Sequence, residues 1–148
     1  MIFMVCVIRI AFHEKGQYMP GGTHGRPAEN TPPNQRRTFS GWPQVKAVRN
    51  ALRTGHCAPT VMRTLTELHG TNPEPMLRLV SAMGGGVGML RNECGAASSP
   101  ILFLGLLYGD ETGHDGIPKV ITLGRKFFQQ FASLHGGIRC REVAATFQ

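Results

Sequence analysis

The sequence predicts an all-α fold: a small bundle of about five to six short helices with glycine-rich connections, preceded by an irregular N-terminal arm. Three observations predict it. From Val45 onward, apolar residues recur at helical spacing. Gly, Pro and Asn fall where those helices would start and stop. No convincing alternation with period two, the mark of a half-buried strand, follows residue 12.

Residues 1–12 (MIFMVCVIRIAF) form an apolar run that reads as a strand or a sticky tail. Residues 13–43 turn polar and rich in Gly and Pro, with too little apolar surface to offset the entropy lost on ordering. Residues 1–43 are therefore expected to form an irregular or disordered arm, and residues 44–148 one helical domain. Val45, Val48 and Leu52 fall at i, i+3 and i+7, a stripe expected to face the core. Gly55 interrupts, and Val61, Met62, Leu65 and Leu68 renew the pattern up to Gly70. Asn72-Pro73-Glu74 reads as an N-cap, a proline at the first helical position and an acid in the first turn. Met76, Leu77, Leu79, Val80 and Met83 follow, and Gly84 supplies a stop.

Gly84-Gly85-Gly86-Val87-Gly88 reads as a flexible connector leading to Cys94. Ser98-Ser99-Pro100 is the next start signal, and Ile101 to Tyr108 is apolar on every side, so that helix is expected to be central and buried. Asp115 is read as the cap of a fifth helix, with Val120, Leu123, Phe127, Phe128, Phe131 and Leu134 on its inner faces. Gly136-Gly137 ends it, and Cys140 to Phe147 begins a sixth.

Composition narrows the functional classes. A chain of 148 residues with 41% hydrophobic and 17% charged residues has the balance of a globular domain. No run approaches the roughly 18 to 20 apolar residues of a membrane span. Sixteen Lys and Arg against nine Asp and Glu leave a net charge of +7, but the basic residues are scattered, so charge for solubility is favoured over nucleic-acid binding. The four cysteines, at 6, 57, 94 and 140, form no C-x-x-C pair, which excludes zinc-ribbon, thioredoxin and haem-attachment signatures. The N-terminus lacks a basic start and a small-residue cleavage site, so reduced cysteines in the cytoplasm are expected.

Cys57, Cys94 and Cys140 share a local setting: each follows a glycine-containing loop and precedes or opens a predicted helix. A helix start presents unpaired N–H groups and partial positive charge, which favour a thiolate. Arg91, Arg139 and Arg141 would act in the same direction if they approach. Three such thiolates brought together would suit a soft metal, an iron–sulfur cluster or thiol–disulfide exchange. Cysteine is also a small, often buried hydrophobe, and spacing alone does not separate the two cases.

Other residues are read more simply. The Gly84–Gly88 run lacks the strand of a dinucleotide fold and the Gly-Lys-Ser/Thr of a P-loop. His56 is a loop residue beside Cys57, with a ligand or proton-acceptor role as the alternative. His69 and His135 fall at helix ends, where a cation complements the dipole, and His114-Asp115 reads as a turn with a cap. A Cys–His hydrolase is disfavoured because no orienting carboxylate is indicated.

From about Val45 to Val143 the sequence resembles the C-GCAxxG-C-C family of cysteine-motif proteins, to which redox activity is ascribed. The matching segments, in the family's order, are Gly55-His56-Cys57-Ala58, Gly84-Gly85-Gly86-Val87-Gly88, Cys94-Gly95-Ala96, Gly105 to Gly109, and Gly137-Ile138-Arg139-Cys140-Arg141-Glu142-Val143. The resemblance implies a small helical protein in which Cys57, Cys94 and Cys140 hold an iron–sulfur cluster or another thiolate-bound metal, or cycle between thiol and disulfide. It also implies an electron-transfer partner or a homo-oligomer. Ser99 stands where the family's C-G-A-x-x-G ends in glycine, no cysteine follows Cys140, and Cys6 lies outside the matched region. Those departures motivate the alternative of a non-enzymatic structural or interaction protein that has lost its cofactor site.

Overall fold

The computed structural model describes residues 43–110, 112 and 116–146. The predicted N-terminal arm up to residue 42, Cys6, His114, Asp115 and Phe147 lie outside them. Six α-helices follow one another among the described residues: α1 (Pro43–Thr54), α2 (Cys57–His69), α3 (Glu74–Val80), α4 (Gly95–Tyr108), α5 (Ile117–His135) and α6 (Cys140–Ala145). A short 3₁₀ turn, Ser81–Met83, extends α3. No strand is present among the described residues, and none of their helices is long and apolar enough to cross a membrane. The all-α expectation holds.

Helix α2 is the hub, packed against α1, α3 and α4, and α5 packs on α4. Its buried face carries Ala58, Val61, Met62 and Leu65, which join Val80, Ala96, Ala97, Phe103, Phe127, Phe131 and Val143 in one core. Gly70 (φ 76°) closes α2, and its N–H donates to the Thr66 carbonyl, while Gly136 (φ 72°) closes α5. Both take the left-handed cap that glycine tolerates without a Cβ clash. Asn72 Oδ1 accepts the Glu74 N–H at 3.1 Å, so the asparagine does cap α3.

The face that α1 turns inward is not the predicted one. Val45 and Leu52 are 65% and 84% exposed, and Val48 also faces outward, whereas Ala47 and Asn50 are buried. Ala47, Asn50 and Thr54 form a second stripe, shifted two positions from the apolar one and hence roughly 200° around the helix. That stripe meets a polar row on α2. Asn50 Nδ2 donates to Thr64 Oγ1 (3.2 Å) and Glu67 Oε2 (3.1 Å), and the Thr54 and Thr60 hydroxyls lie 2.6 Å apart. Arg49 adds an ion pair to Glu67 at 2.6 Å. Small size and hydrogen-bond matching orient α1, because buried polar groups on α2 needed partners.

Two further expectations are corrected. Helix α4 starts at Gly95, ahead of Ser98-Ser99-Pro100, because the Cys94 carbonyl accepts the N–H groups of Ala97 (2.8 Å) and Ser98 (2.9 Å). Only its first half, Gly95 to Pro100, and Phe103 are buried, while Leu102 and Leu106 are exposed. Apolarity all round did not bury every side of α4: in its second half Phe103, beside the His69 ring of α2, is buried, whereas Leu102 and Leu106 are left exposed. On α5, Phe127 and Phe131 are buried as expected, but Leu134 is exposed. His135 is buried instead, its ring 4.7 Å from that of Phe131. Burial lowers its pKa, which works against a dipole-complementing cation there.

Candidate functional site

The three later cysteines all sit at helix starts. Cys57 is the first residue of α2, Cys94 the residue before α4, and Cys140 the first residue of α6. All three are free thiols; Cys94 is buried, and Cys57 and Cys140 are half-buried. The predicted local setting is therefore present at each.

Glycine brings the first two together. A Cβ placed on Gly95 would lie 2.6 Å from the Met83 carbonyl oxygen, 2.7 Å from Ala58 Cβ and 3.2 Å from Cys57 Sγ. Such contacts are too short for any side chain, so only glycine lets the first turn of α4 lie against the first turn of α2. Ser99, fully buried, ties the two starts together: its hydroxyl lies 2.6 Å from the Gly95 carbonyl and 3.2 Å from that of Ala58. The serine at the motif's last position is thus accommodated as a hydrogen-bonding link between the two helices.

The electrostatics separate the pair. Cys57 has its pKa lowered to about 6, chiefly because the Cys94 thiol donates a hydrogen bond to its sulfur. Burial opposes the shift, and backbone N–H groups of Gly85, Ala58 and Ala96 reinforce it. Cys94 moves the other way. Holding the proton shared with Cys57, and buried, it has its pKa raised far above the thiol range, although the Ala96 and Ala97 amides work against the rise. The pair therefore carries one thiolate, on Cys57, and one retained proton, on Cys94. The neighbouring thiol and backbone amides are the causes that lower the Cys57 pKa.

Gly84 to Asn92 forms an ordered turn rather than the expected loose connector. Gly85, Gly86, Val87, Gly88 and Met89 are successive residues with φ of 62°, 79°, 58°, 61° and 65°, and Arg91 adds a sixth at 56°. The turn is stapled by Gly88 N–H to Ala82 O (2.8 Å), Met89 N–H to Gly84 O (3.1 Å), Arg91 N–H to Gly85 O (3.0 Å) and Asn92 N–H to Gly86 O (3.0 Å). Left-handed backbone costs a non-glycine residue roughly 1–2 kcal/mol, and here Val87, Met89 and Arg91 all adopt it. The amide that reaches Cys57 belongs to this turn. His56 packs beneath it: a Cβ on Gly84 would meet the His56 ring at 3.2 Å.

Cys140 packs against the same turn. A Cβ on Gly86 would fall 2.6 Å from Cys140 Cβ, so the loop backbone rests on that side chain. The segment before Cys140 pairs with the segment before Cys94: Glu93 and Arg139 form an antiparallel bridge, Cys94 N–H donates to Ile138 O (2.8 Å), and Cys140 N–H donates to Asn92 O (2.6 Å). Among the described residues, no group of three or more His, Cys, Asp or Glu side chains is placed to hold a metal ion.

A family model described as "Putative redox-active protein (C_GCAxxG_C_C)" matches residues 55–148, more than half of the chain. The chain belongs to that family. The match spans all three helix-start cysteines and the left-handed turn between them. No curated protein and no solved structure matched the chain. Sequence reasoning singled out the three helix-start cysteines that the matched region spans but missed the amides of Gly85 and Ala96. Their only signal was the density of glycine, which reads equally well as a plain connector.

Proposed function

We propose that this family member carries out thiol–disulfide exchange, with Cys57 as the attacking thiolate and Cys94 as its resolving partner. What supports the reading is the packing of the two helix starts, which sets Gly95 against Cys57, together with a Cys57 pKa lowered to about 6 chiefly by the Cys94 thiol. The Cys57 sulfur attacks one sulfur of a substrate disulfide, forming a mixed disulfide and expelling the other sulfur as a thiolate. Cys94 then loses its proton, attacks Cys57 Sγ and releases the second substrate thiol. In sum, two protein thiols and one substrate disulfide become one protein disulfide and two substrate thiols, with two electrons passing to the substrate. A reducing compartment such as the cytoplasm suits the resting dithiol, and a dithiol or disulfide protein suits the role of electron partner.

Incubating the reduced chain with glutathione disulfide and mapping the products by mass spectrometry tests this. A Cys57–Cys94 disulfide, with glutathione on Cys57 when Cys94 is replaced by Ser, is expected; independent modification of each thiol with no internal disulfide overturns it.

A cluster or soft metal held by Cys57, Cys94 and Cys140 is a second reading, favoured by the gathering of three helix-start thiols around one turn. It requires the third thiol to move in, and metal and labile-sulfide analysis of anaerobically purified protein tests it. A purely structural role instead predicts that replacing all three cysteines by Ser leaves stability and partner binding unchanged.

A further inference from the structure

We propose that Cys140 is the third member of a thiol relay: once Cys57 and Cys94 are joined, Cys140 attacks Cys94 Sγ, expels Cys57 and leaves a Cys94–Cys140 disulfide. This rests on the dithiol reading above and adds a residue and a direction to it.

The backbone pairing supplies the first support. With Glu93 opposite Arg139, Cys94 lies opposite Ile138, and Cys140 is two residues further along the same segment. Residues so related are diagonal neighbours on one face of the pairing, typically about 7–8 Å apart. A disulfide wants Cα atoms within roughly 4.4–6.8 Å, so bridging them takes a small backbone movement. The diagonal is close enough to bridge and too long to be bridged at rest.

The left-handed turn supplies the means. Gly86 lies against Cys140 Cβ, and the amide of the preceding residue, Gly85, is among the causes that lower the Cys57 pKa. While Cys57 is a thiolate, its charge favours the Gly85 amide beside it, in a turn that holds three non-glycine residues in a backbone region they disfavour. Conversion of Cys57 to a disulfide removes the negative charge and with it the attraction for the Gly85 amide. The strain at Val87, Met89 and Arg91 then favours relaxation, and Gly86 moves off Cys140. Turn and thiol are thus linked through two adjacent residues.

The exchange balances. Cys140 loses its proton to solvent, its sulfur bonds to Cys94 Sγ, and the Cys57–Cys94 bond breaks with its electron pair on Cys57. One disulfide is exchanged for another with no net oxidation, and Cys57 leaves as the better-stabilised thiolate of the pair. The relay would return the nucleophile to its attacking state while the oxidising equivalents wait on Cys94 and Cys140.

The test uses the full chain carrying Cys6→Ser, so that only the three thiols of the site react. The protein is oxidised with glutathione disulfide, quenched at intervals by acid, alkylated and mapped. The expected course is Cys57–Cys94 first, then Cys94–Cys140 with Cys57 alkylated, and an arrest at Cys57–Cys94 in Cys140→Ser. Amide exchange across residues 85–92 is expected to quicken about tenfold or more once the first disulfide forms, as local opening becomes easier. A course that stops at Cys57–Cys94, with Cys140 free and the turn's exchange unchanged, overturns the relay and leaves the dithiol reading standing. Absence of any Cys57–Cys94 disulfide overturns both.

Discussion

Cys57 and Cys94, at the starts of different helices, are electrostatically paired: the Cys94 thiol is the chief cause that lowers the Cys57 pKa. Amides of α2, α4 and the left-handed turn reinforce the lowering at Cys57. The alkylation rate of Cys57 with iodoacetamide is expected to rise with pH through a midpoint near 6. Replacing Cys94 by Ala removes the largest stabilising cause and moves that midpoint up towards the ordinary thiol value. Cys94→Ser, which still offers an O–H donor, is expected to shift it less.

Stability of the reduced protein is expected to pass through a maximum on the alkaline side of neutrality. Between about pH 6 and the ordinary thiol value of 9.0, folded Cys57 is deprotonated and the unfolded thiol is not. The unfolded state binds more protons there, and stability rises with pH. Above that range the unfolded Cys94 ionises while the folded one keeps its proton, and stability falls again. Urea midpoints of the reduced chain across this range check the shape; in Cys57→Ala/Cys94→Ala this contribution should vanish.

The crossing of α2 and α4 depends on Gly95. Gly95→Ala puts a methyl group against the Met83 carbonyl and Ala58 Cβ. A loss of about 1–3 kcal/mol is expected from overpacking, together with slower alkylation of Cys57 near pH 6 as the helix starts separate. Denaturant titration and alkylation rates measured on the same sample check both.

Val87 holds a β-branched side chain at φ 58°. Val87→Gly is expected to stabilise the reduced protein by roughly 0.5–1 kcal/mol, the relief of left-handed strain outweighing the greater freedom of glycine when unfolded. Thermal or urea unfolding under reducing conditions measures it.

On α1, the apolar stripe and the packed stripe are expected to respond oppositely. Leu52→Gln, at an exposed position, should change stability by no more than about 0.5 kcal/mol. Asn50→Ala breaks two bonds to α2 and should cost about 1–3 kcal/mol by leaving buried polar groups unpaired.

Much of this protein was decided locally and is readable residue by residue. Helical period, glycine stops at 55, 70 and 136, and the Asn72 cap depend on neighbours a few positions away, and the helix-start setting of the three cysteines follows from them. What local pattern does not contain is which side of a helix meets which neighbour. Val45, Val48 and Leu52 have the spacing of a core stripe, yet Ala47 and Asn50 face α2, because the partner surface there is a row of threonines and a glutamate. The same limit applies at the site. Three cysteines and a glycine run are plain in the chain, but only the packed helices set the Cys94 thiol to lower the Cys57 pKa and lay Gly86 against Cys140. Periodicity is a property of one segment; the pairing of thiols and the sign of their pKa shifts belong to contacts between segments distant along the chain.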